Sequence, residues 1–298
     1  MPMISVVMPG KNVAKTLGAT LDSLVAQTFK DFELIFVNDG STDETAHVIE
    51  SYMDRLTIKL VTHEENQGVA RSINDGLFRA DCDLVARLDA DDLARPDRFE
   101  KQLAYMSANP SVDVCGTQME VFSDDDPEHK TAYVLAHPTT HAAIKTAFVQ
   151  RCAIAHPSVM ARRALFESVG AYDPRYDFAE DYELWCRCAL LGRQFGNIPE
   201  PLTRYRQHAG QVSKQKSQLQ FTRDIAIKNN YLAGFLDGMH RGHLAEFLAL
   251  STQFASRDVA MAVLMDCTPA MLQLARRAPD VSEYDRIVAG SIKRHLGG

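Results

Sequence analysis

The sequence has six cysteines, Cys82, Cys115, Cys152, Cys186, Cys188 and Cys267, and no CxxC pair among them. Without ligand spacing a zinc site is not expected. Thiols set in apolar surroundings read as reduced, buried side chains of a cytosolic protein. Positive charge is not in excess either. The chain carries 32 Lys and Arg against 39 Asp and Glu, a formal net charge of −7, which argues against nucleic acid as the main partner. No apolar run approaches the length of a membrane span, and the opening MPMISVVMPG is too short and too uncharged to read as a signal peptide. Repeats and low-complexity tracts are absent. What is present is ordinary for a soluble globular protein: 298 residues, 46% hydrophobic and 24% charged, enough for one large domain or a domain plus an extension.

The first third of the chain alternates in type. ISVVMP (Ile4–Pro9), FELIFVND (Phe32–Asp39), IKLVTH (Ile58–His63) and DLVARLDA (Asp83–Ala90) read as strands. Between them, Asn12–Gln27, Ser41–Met53 and Gly68–Ala80 have helical periods. Ser41 is expected to cap the second of these helices, with Glu44 three residues on. Strands alternating with helices of this length predict βαβ units and a mostly parallel sheet. After Pro96 the rhythm loosens. Pro96–Asn109 and Ala179–Gly192 read as helices, Val112–Phe122 as a strand or two, and His156–Pro174 as a strand, a short helix and a turn. From about residue 213 the pattern is mainly helical, clearest over QLQFTRDIAIKNNYLAGFL, which sets a boundary near residue 212.

Ligands of open α/β sheets bind beyond the carboxyl ends of the strands. Three polar groups should lie on that edge: Pro9 and Gly10, Asn38 and Asp39, and the Asp89–Asp92 cluster. RLDADDLARP (Arg87–Pro96) crowds Asp89, Asp91 and Asp92 together. Mg²⁺ and Mn²⁺ prefer carboxylate oxygens, and Mg²⁺ leaves its other positions to water and phosphate. The competing explanation is helix capping by Asp92 or Asp97, which accounts for one aspartate but hardly for three. Asp39, in VNDGSTDET, suits either a base imide N–H or an Asx turn. Arg71, in ENQGVARSIN, suits phosphate, a stacked base or a solvated helix face. In FAEDYELW, Glu180, Asp181 and Glu183 favour a helix N-terminus. Asp181 also stands between Phe178, Tyr182 and Trp185, where desolvation would raise its pKa toward that of a general base. TRYRQHAGQVS gathers Arg204, Arg206, His208 and Ser213, a diphosphate-binding set or a basic surface loop. SDDDPEH reads as a solvated acidic turn, with a second metal site as its alternative.

Taken in order, these stretches resemble family 2 glycosyltransferases of the GT-A fold. The match runs over VVMPGKN, VNDGSTDET, NQGVARSIN, RLDADD, HPSVM, GAYDP, AEDYELW and YRQHAGQVS, roughly residues 3–213. The resemblance implies an α/β GT-A fold, a mostly parallel nucleotide-binding sheet flanked by helices, over residues 1–212. It implies a UDP- or dTDP-sugar donor, Mn²⁺ or Mg²⁺ as cofactor, and inversion at the anomeric carbon. The acceptor would be a hydroxyl of a glycan or lipid-linked carrier, in bacterial cell-surface polysaccharide biosynthesis. By position, Asp39 would bind the base with the Pro9 backbone and Arg71. Asp89 and Asp91 would form the metal and donor motif, with Asp91 the direct ligand. Asp181 would be the base toward the acceptor, and Arg206, His208 and Ser213 would hold the diphosphate, His208 also as a metal ligand. The Q-x-x-R-W motif of processive synthases is missing where YRQHAGQVS stands, which implies addition of a single sugar.

Three other readings compete. A sugar-nucleotide pyrophosphorylase would need a Gly- and Arg-rich loop after the first strand, where the chain has PGKNVAKT. A dehydrogenase would need G-x-G-x-x-G there, and it is absent. A catalytically silent, glycosyltransferase-like subunit would have lost the metal or base carboxylates, and Asp91 and Asp181 are present. Residues 213–298 form a helical extension carrying Lys214, Lys216, Arg223, Lys228, Arg276, Arg277, Lys293 and Arg294 among apolar residues. Such helices suit an amphipathic cap, a homodimer surface, or peripheral contact with an anionic membrane at its cytoplasmic face.

Overall fold

The structure, a computed structural model, describes residues 3–126, 132–207, 217–234, 236, 243–249 and 252–297. Its centre is a nine-stranded sheet. Four parallel strands form one half: β1 (Ile4–Gly10), β2 (Phe32–Asp39), β3 (Ile58–His63) and β4 (Leu84–Arg87). They lie in the order β3-β2-β1-β4. The other half is mixed. It adds β5 (Leu93–Ala94), β6 (Val114–Ser123), β7 (Tyr133–Leu135), β8 (Met160–Arg162) and β9 (Phe195–Gln207). β8 runs antiparallel to β4 and β6, β9 runs parallel to β6 and antiparallel to β5, and β7 hangs on β6.

Alternation in the strands builds two cores. Ile4, Val6 and Met8 of β1 and Phe32, Leu34 and Phe36 of β2 face Leu17, Leu21 and Leu24 of α1 (Ala14–Val25) and Phe99 of α4 (Arg98–Ala108). Val7 and Ile35 point the other way, toward Ala70 and Ile73 of α3 (Val69–Phe78). A sheet covered on both faces reads as nearly continuous apolar strands, as β1 and β2 do. The expected capping of the second helix is replaced. α2 spans only Thr45–Glu50, and its N-terminus has no side-chain cap. Ser41 Oγ, Thr45 Oγ1 and Asp43 Oδ2 instead accept the N–H groups of Asn12, Val13 and Ala14. VNDGSTDET therefore satisfies the orphan donors at the start of α1, a long-range pairing that local spacing does not reveal. Asp92 and Asp97 are not caps either, because α4 begins without a side-chain cap bond.

The described part of the segment read as a diphosphate-binding set or a basic loop is strand: Arg204 and Arg206 lie in β9, paired with Glu120 and Phe122 of β6. Beyond it, α5 (His141–Ala147), α6 (Arg163–Val169) and α7 (Glu180–Leu190) cover the mixed half. The C-terminal helices α8 (Ser217–Ala233), α9 (Leu244–Leu248), α10 (Arg257–Arg277) and α11 (Val281–Leu296) follow. Ile227, Tyr231, Phe247, Leu274 and Ile287 from these helices join the core that holds Phe148 and Trp185. Two sequence expectations change here. Lys228 is buried, paired with Asp224, with its ammonium 5.7 Å from the Tyr182 ring centroid, so it is not available to a membrane surface. α10 is long and apolar enough, by length and composition, to cross a membrane. Asp266 and Pro269 interrupt its apolar run, which is why no continuous stretch stands out. It buries Cys267, Ala270, Met271 and Leu274 and turns Met261, Met265 and Leu272 outward.

Candidate active site

Parallel pairing fixes the common edge. Gly10 lies level with Asn38, and Val7 with Arg87, so the chain leaving β4 delivers Asp89–Asp92 beside the carboxyl ends of β1 and β2. The three aspartates place one carboxylate oxygen each within 4.8 Å of one another. Asp92 is fully buried. Its Oδ1 accepts the backbone N–H of Arg206 at 2.9 Å, and its Oδ2 has no hydrogen-bond partner. Burial, then the neighbouring Asp89 and Asp91 charges, push its pKa well above the usual carboxylate range. Like charges packed this closely, one of them orphaned, fit a hard divalent cation better than an empty acidic loop. Asp89 is also held by the buried Arg87, Nη2 to Oδ1 2.5 Å. Arg87 itself is pinned by its Nη1 donating to the Val7 and Leu88 carbonyls.

Asp39 ends β2 and is buried. Its Oδ1 accepts the Gln67 N–H at 2.7 Å and contacts His63 Nδ1 at 2.8 Å, while Oδ2 accepts the Gly68 N–H at 3.1 Å. Gly68 has φ +93°, and an added Cβ would fall 2.3 Å from Asp177 Oδ2, so only glycine fits this approach. Arg71 projects from the first turn of α3, exposed, with Nη1 3.4 Å from Gln67 Oε1. It lines an open cleft of about 590 Å³ with His63, Glu64, Glu65, Gln67 and Asp75. Pro9 is the penultimate residue of β1, half-buried and level with Val37 of β2.

Asp181 is the second residue of α7 and half-buried. Its Oδ1 accepts its neighbour's N–H from Tyr182, and its Oδ2 lies 3.6 Å from the Cys152 thiol. Burial raises its pKa, and the Asp89 charge adds to the rise, so the aspartate cluster and Asp181 share one electrostatic field. Glu180 is buried more deeply, and its Oε2 has no partner. Burial and the Asp181 charge push its pKa up to about 8. Its Oε1 is 3.9 Å from His156 Nδ1, whose Nε2 contacts the Tyr172 hydroxyl at 2.9 Å and Arg87 Nε at 3.4 Å. A buried chain Glu180–His156–Arg87–Asp89 thus joins the start of α7 to the aspartate cluster.

The structure brings Asp89, Asp91, Asp92 and Arg206 together and sets Asp181 within electrostatic reach of Asp89. Arg206 differs from the sequence expectation of an open diphosphate donor. Its guanidinium donates to the Asp91 carbonyl at 2.7 Å and pairs with Asp124, in the turn read as merely solvated. Arg204 pairs with Glu120 at 3.0 Å. His208 and Ser213 lie outside the described residues. Sequence reasoning gave no part in the site's chemistry to Arg87, Cys152, His156, Tyr172 or Glu180. Four of them stood inside stretches already singled out, RLDADD, HPSVM, GAYDP and AEDYELW, but only the fold shows that they meet.

Residues 5–170 match the model of Glycosyl transferase family 2. The chain belongs to this family. This glycosyltransferase is 31% identical over 238 residues to the amylovoran biosynthesis glycosyltransferase AmsE of Erwinia amylovora, covering 76% of this chain and 86% of that one. Its fold matches S. aureus TarS 1–349 in complex with UDP-GlcNAc, with a TM-score of 0.60 at 18% identity, over 98% of this chain and 92% of that one. The chain spans 55% of the longer TarS structure. The mannosyltransferase PcManGT from Pyrobaculum calidifontis, in complex with GDP-Man and Mn²⁺, matches with a TM-score of 0.60 at 16% identity, over 97% of this chain and 79% of that one. These likenesses place the glycosyltransferase in the GT-A fold.

Proposed function

We propose that this glycosyltransferase transfers a single sugar from a UDP- or dTDP-sugar to a hydroxyl of a glycan or lipid-linked acceptor, with inversion at the anomeric carbon. The observation that carries the proposal is the aspartate cluster after β4, in which the buried Asp92 has one oxygen without a hydrogen-bond partner, together with a half-buried Asp181 whose pKa is raised. Asp39, the Pro9 backbone and Arg71 hold the base. Asp89 and Asp91 hold Mn²⁺ or Mg²⁺, with Asp91 the direct ligand. A cation held there would supply charge neutralisation for the leaving diphosphate. Arg206 braces the Asp91 loop from β9, and His208 and Ser213 complete the diphosphate site. Asp181 takes the acceptor hydroxyl proton as its oxygen attacks the anomeric carbon, and the diphosphate leaves from the opposite face. The likeness to the amylovoran biosynthesis glycosyltransferase AmsE supports a setting in polysaccharide biosynthesis, and the proposal places it in cell-surface polysaccharide assembly on the cytoplasmic side. Residues 1–212 carry the chemistry, and residues 213–298 form a helical extension suited to peripheral contact with the inner face of a membrane or to a homodimer.

Incubation with UDP- and dTDP-sugars, with and without Mn²⁺, should release UDP or dTDP only when the cation is present. Proton NMR of the first product should show the inverted anomer. A retained anomer, or equal turnover without divalent cation, would contradict the proposal.

A further inference from the structure

The base-binding role of Asp39 depends on which of its lone pairs remain open. A carboxylate offers about four acceptor positions. Oδ1 takes Gln67 N–H and the His63 ring, and Oδ2 takes Gly68 N–H. One position is left, on Oδ2. His63 stands opposite Asp39 in the parallel register of β2 and β3, at the end of the edge strand. Its second ring nitrogen, Nε2, lies 3.0 Å from Oδ2 of Asp75 on α3. The imidazole is therefore clamped between two carboxylates, one buried and one exposed, and its side chain is only 12% exposed. Both partners accept, so each contact is a hydrogen bond only when that nitrogen carries a proton. Beside the ring opens the cleft lined by Gln67, Arg71 and Asp75.

We propose that His63 is a positioning residue of the donor site. Held by Asp75, it fills Oδ1 of Asp39, fixes the carboxylate plane and leaves the single Oδ2 position for one base N–H. A single open acceptor suits the imide of uracil or thymine, which presents one donor between two carbonyls. It is poorly matched to guanine, whose adjacent N–H and amino groups call for both oxygens of a carboxylate. The proposal rests on Asp39 binding the base.

Titration calorimetry with UDP and Mn²⁺, and with inorganic diphosphate and Mn²⁺, tests it on the full chain. Diphosphate lacks the base and reports the integrity of the rest of the site. His63→Asn retains a donor near the Nδ1 position, whereas His63→Gln moves its donor toward Nε2 and Asp75. His63→Gln should weaken UDP about tenfold, the loss of one charge-assisted hydrogen bond. His63→Asn should stay within about threefold of the parent, and diphosphate binding should stay within about twofold in both. Asp39→Ala serves as the reference for the underlying reading. If Asp39→Ala weakens UDP and His63→Gln does not, His63 has no positioning role. If UDP and diphosphate weaken together in the His63 variants, the histidine is structural and the proposal fails. If Asp39→Ala leaves UDP affinity intact, the base reading itself is wrong and this inference falls with it.

Discussion

The parallel half and the mixed half of the sheet each bring an aspartate to the carboxyl edge, and they surround it in opposite ways. Asp39 is buried but well supplied: two backbone N–H groups and a histidine ring converge on its carboxylate. Asp181 has one neighbouring N–H and a weak thiol donor, next to a buried Glu180 with an unpartnered oxygen. Convergent hydrogen bonds hold a carboxylate in one orientation, while desolvation and like charge raise its proton affinity. The same side chain is thereby suited to hold a ligand in one half and to take a proton in the other. The aspartate cluster is placed by the parallel strands, with Arg87 on Asp89 and one buried oxygen of Asp92 without a hydrogen-bond partner.

The comparison can be broken at several points. Asp91→Ala should have the largest effect: Mn²⁺-dependent UDP affinity should fall about a hundredfold or more, as expected for loss of a direct ligand, and calorimetry with and without Mn²⁺ reads it directly. Unchanged Mn²⁺-dependent binding would remove Asp91 from the metal site. Glu180→Gln tests the desolvated half through stability. The Glu180 pKa rises from an ordinary 4.5 to about 8 on folding. Folded protein then binds the proton more tightly, so its contribution is fully present below pH 4.5 and is lost as pH rises to about 8. The variant lacks that slope, and at pH 8 its Tm should exceed the parent's by about 2 °C or more, measured by calorimetry. A smaller effect is expected from Cys152→Ala. The thiol lowers the Asp181 pKa against the larger effect of burial. Its removal should move the acidic limb of the kcat/KM profile upward. A downward move would show that the thiol does not stabilise the carboxylate.

Much of the parallel half was legible because its signals are local. Apolar strands of β1 to β4 alternate with helical periods, and the edge on which Asp39 and Asp89 meet follows from parallel pairing alone. The mixed half was not legible in the same way. The end of β9 read as a diphosphate-binding set or a basic loop because Arg204 and Arg206 are charged, yet Glu120 and the Phe122 ring on β6, and Asp124 in the turn after it, receive them. Ser41 pointed to a local cap and instead, with Asp43, serves α1, about thirty residues away in sequence. The buried chain from Glu180 through His156 and Arg87 to Asp89 draws on three separate stretches, so no spacing in the sequence announces it. Local periodicity carries the scaffold, whereas the supply of hydrogen bonds to each carboxylate depends on tertiary neighbours.

The most direct test sets the two aspartates side by side. UDP affinity and the single-turnover transfer rate at saturating donor should be measured for Asp39→Ala and Asp181→Asn. Asp39→Ala should weaken UDP while keeping most of the transfer rate. Asp181→Asn should bind UDP as the parent does and lose transfer by about a thousandfold or more. Substantial transfer by Asp181→Asn, or loss of UDP affinity in that variant, would contradict the division of labour between the two halves.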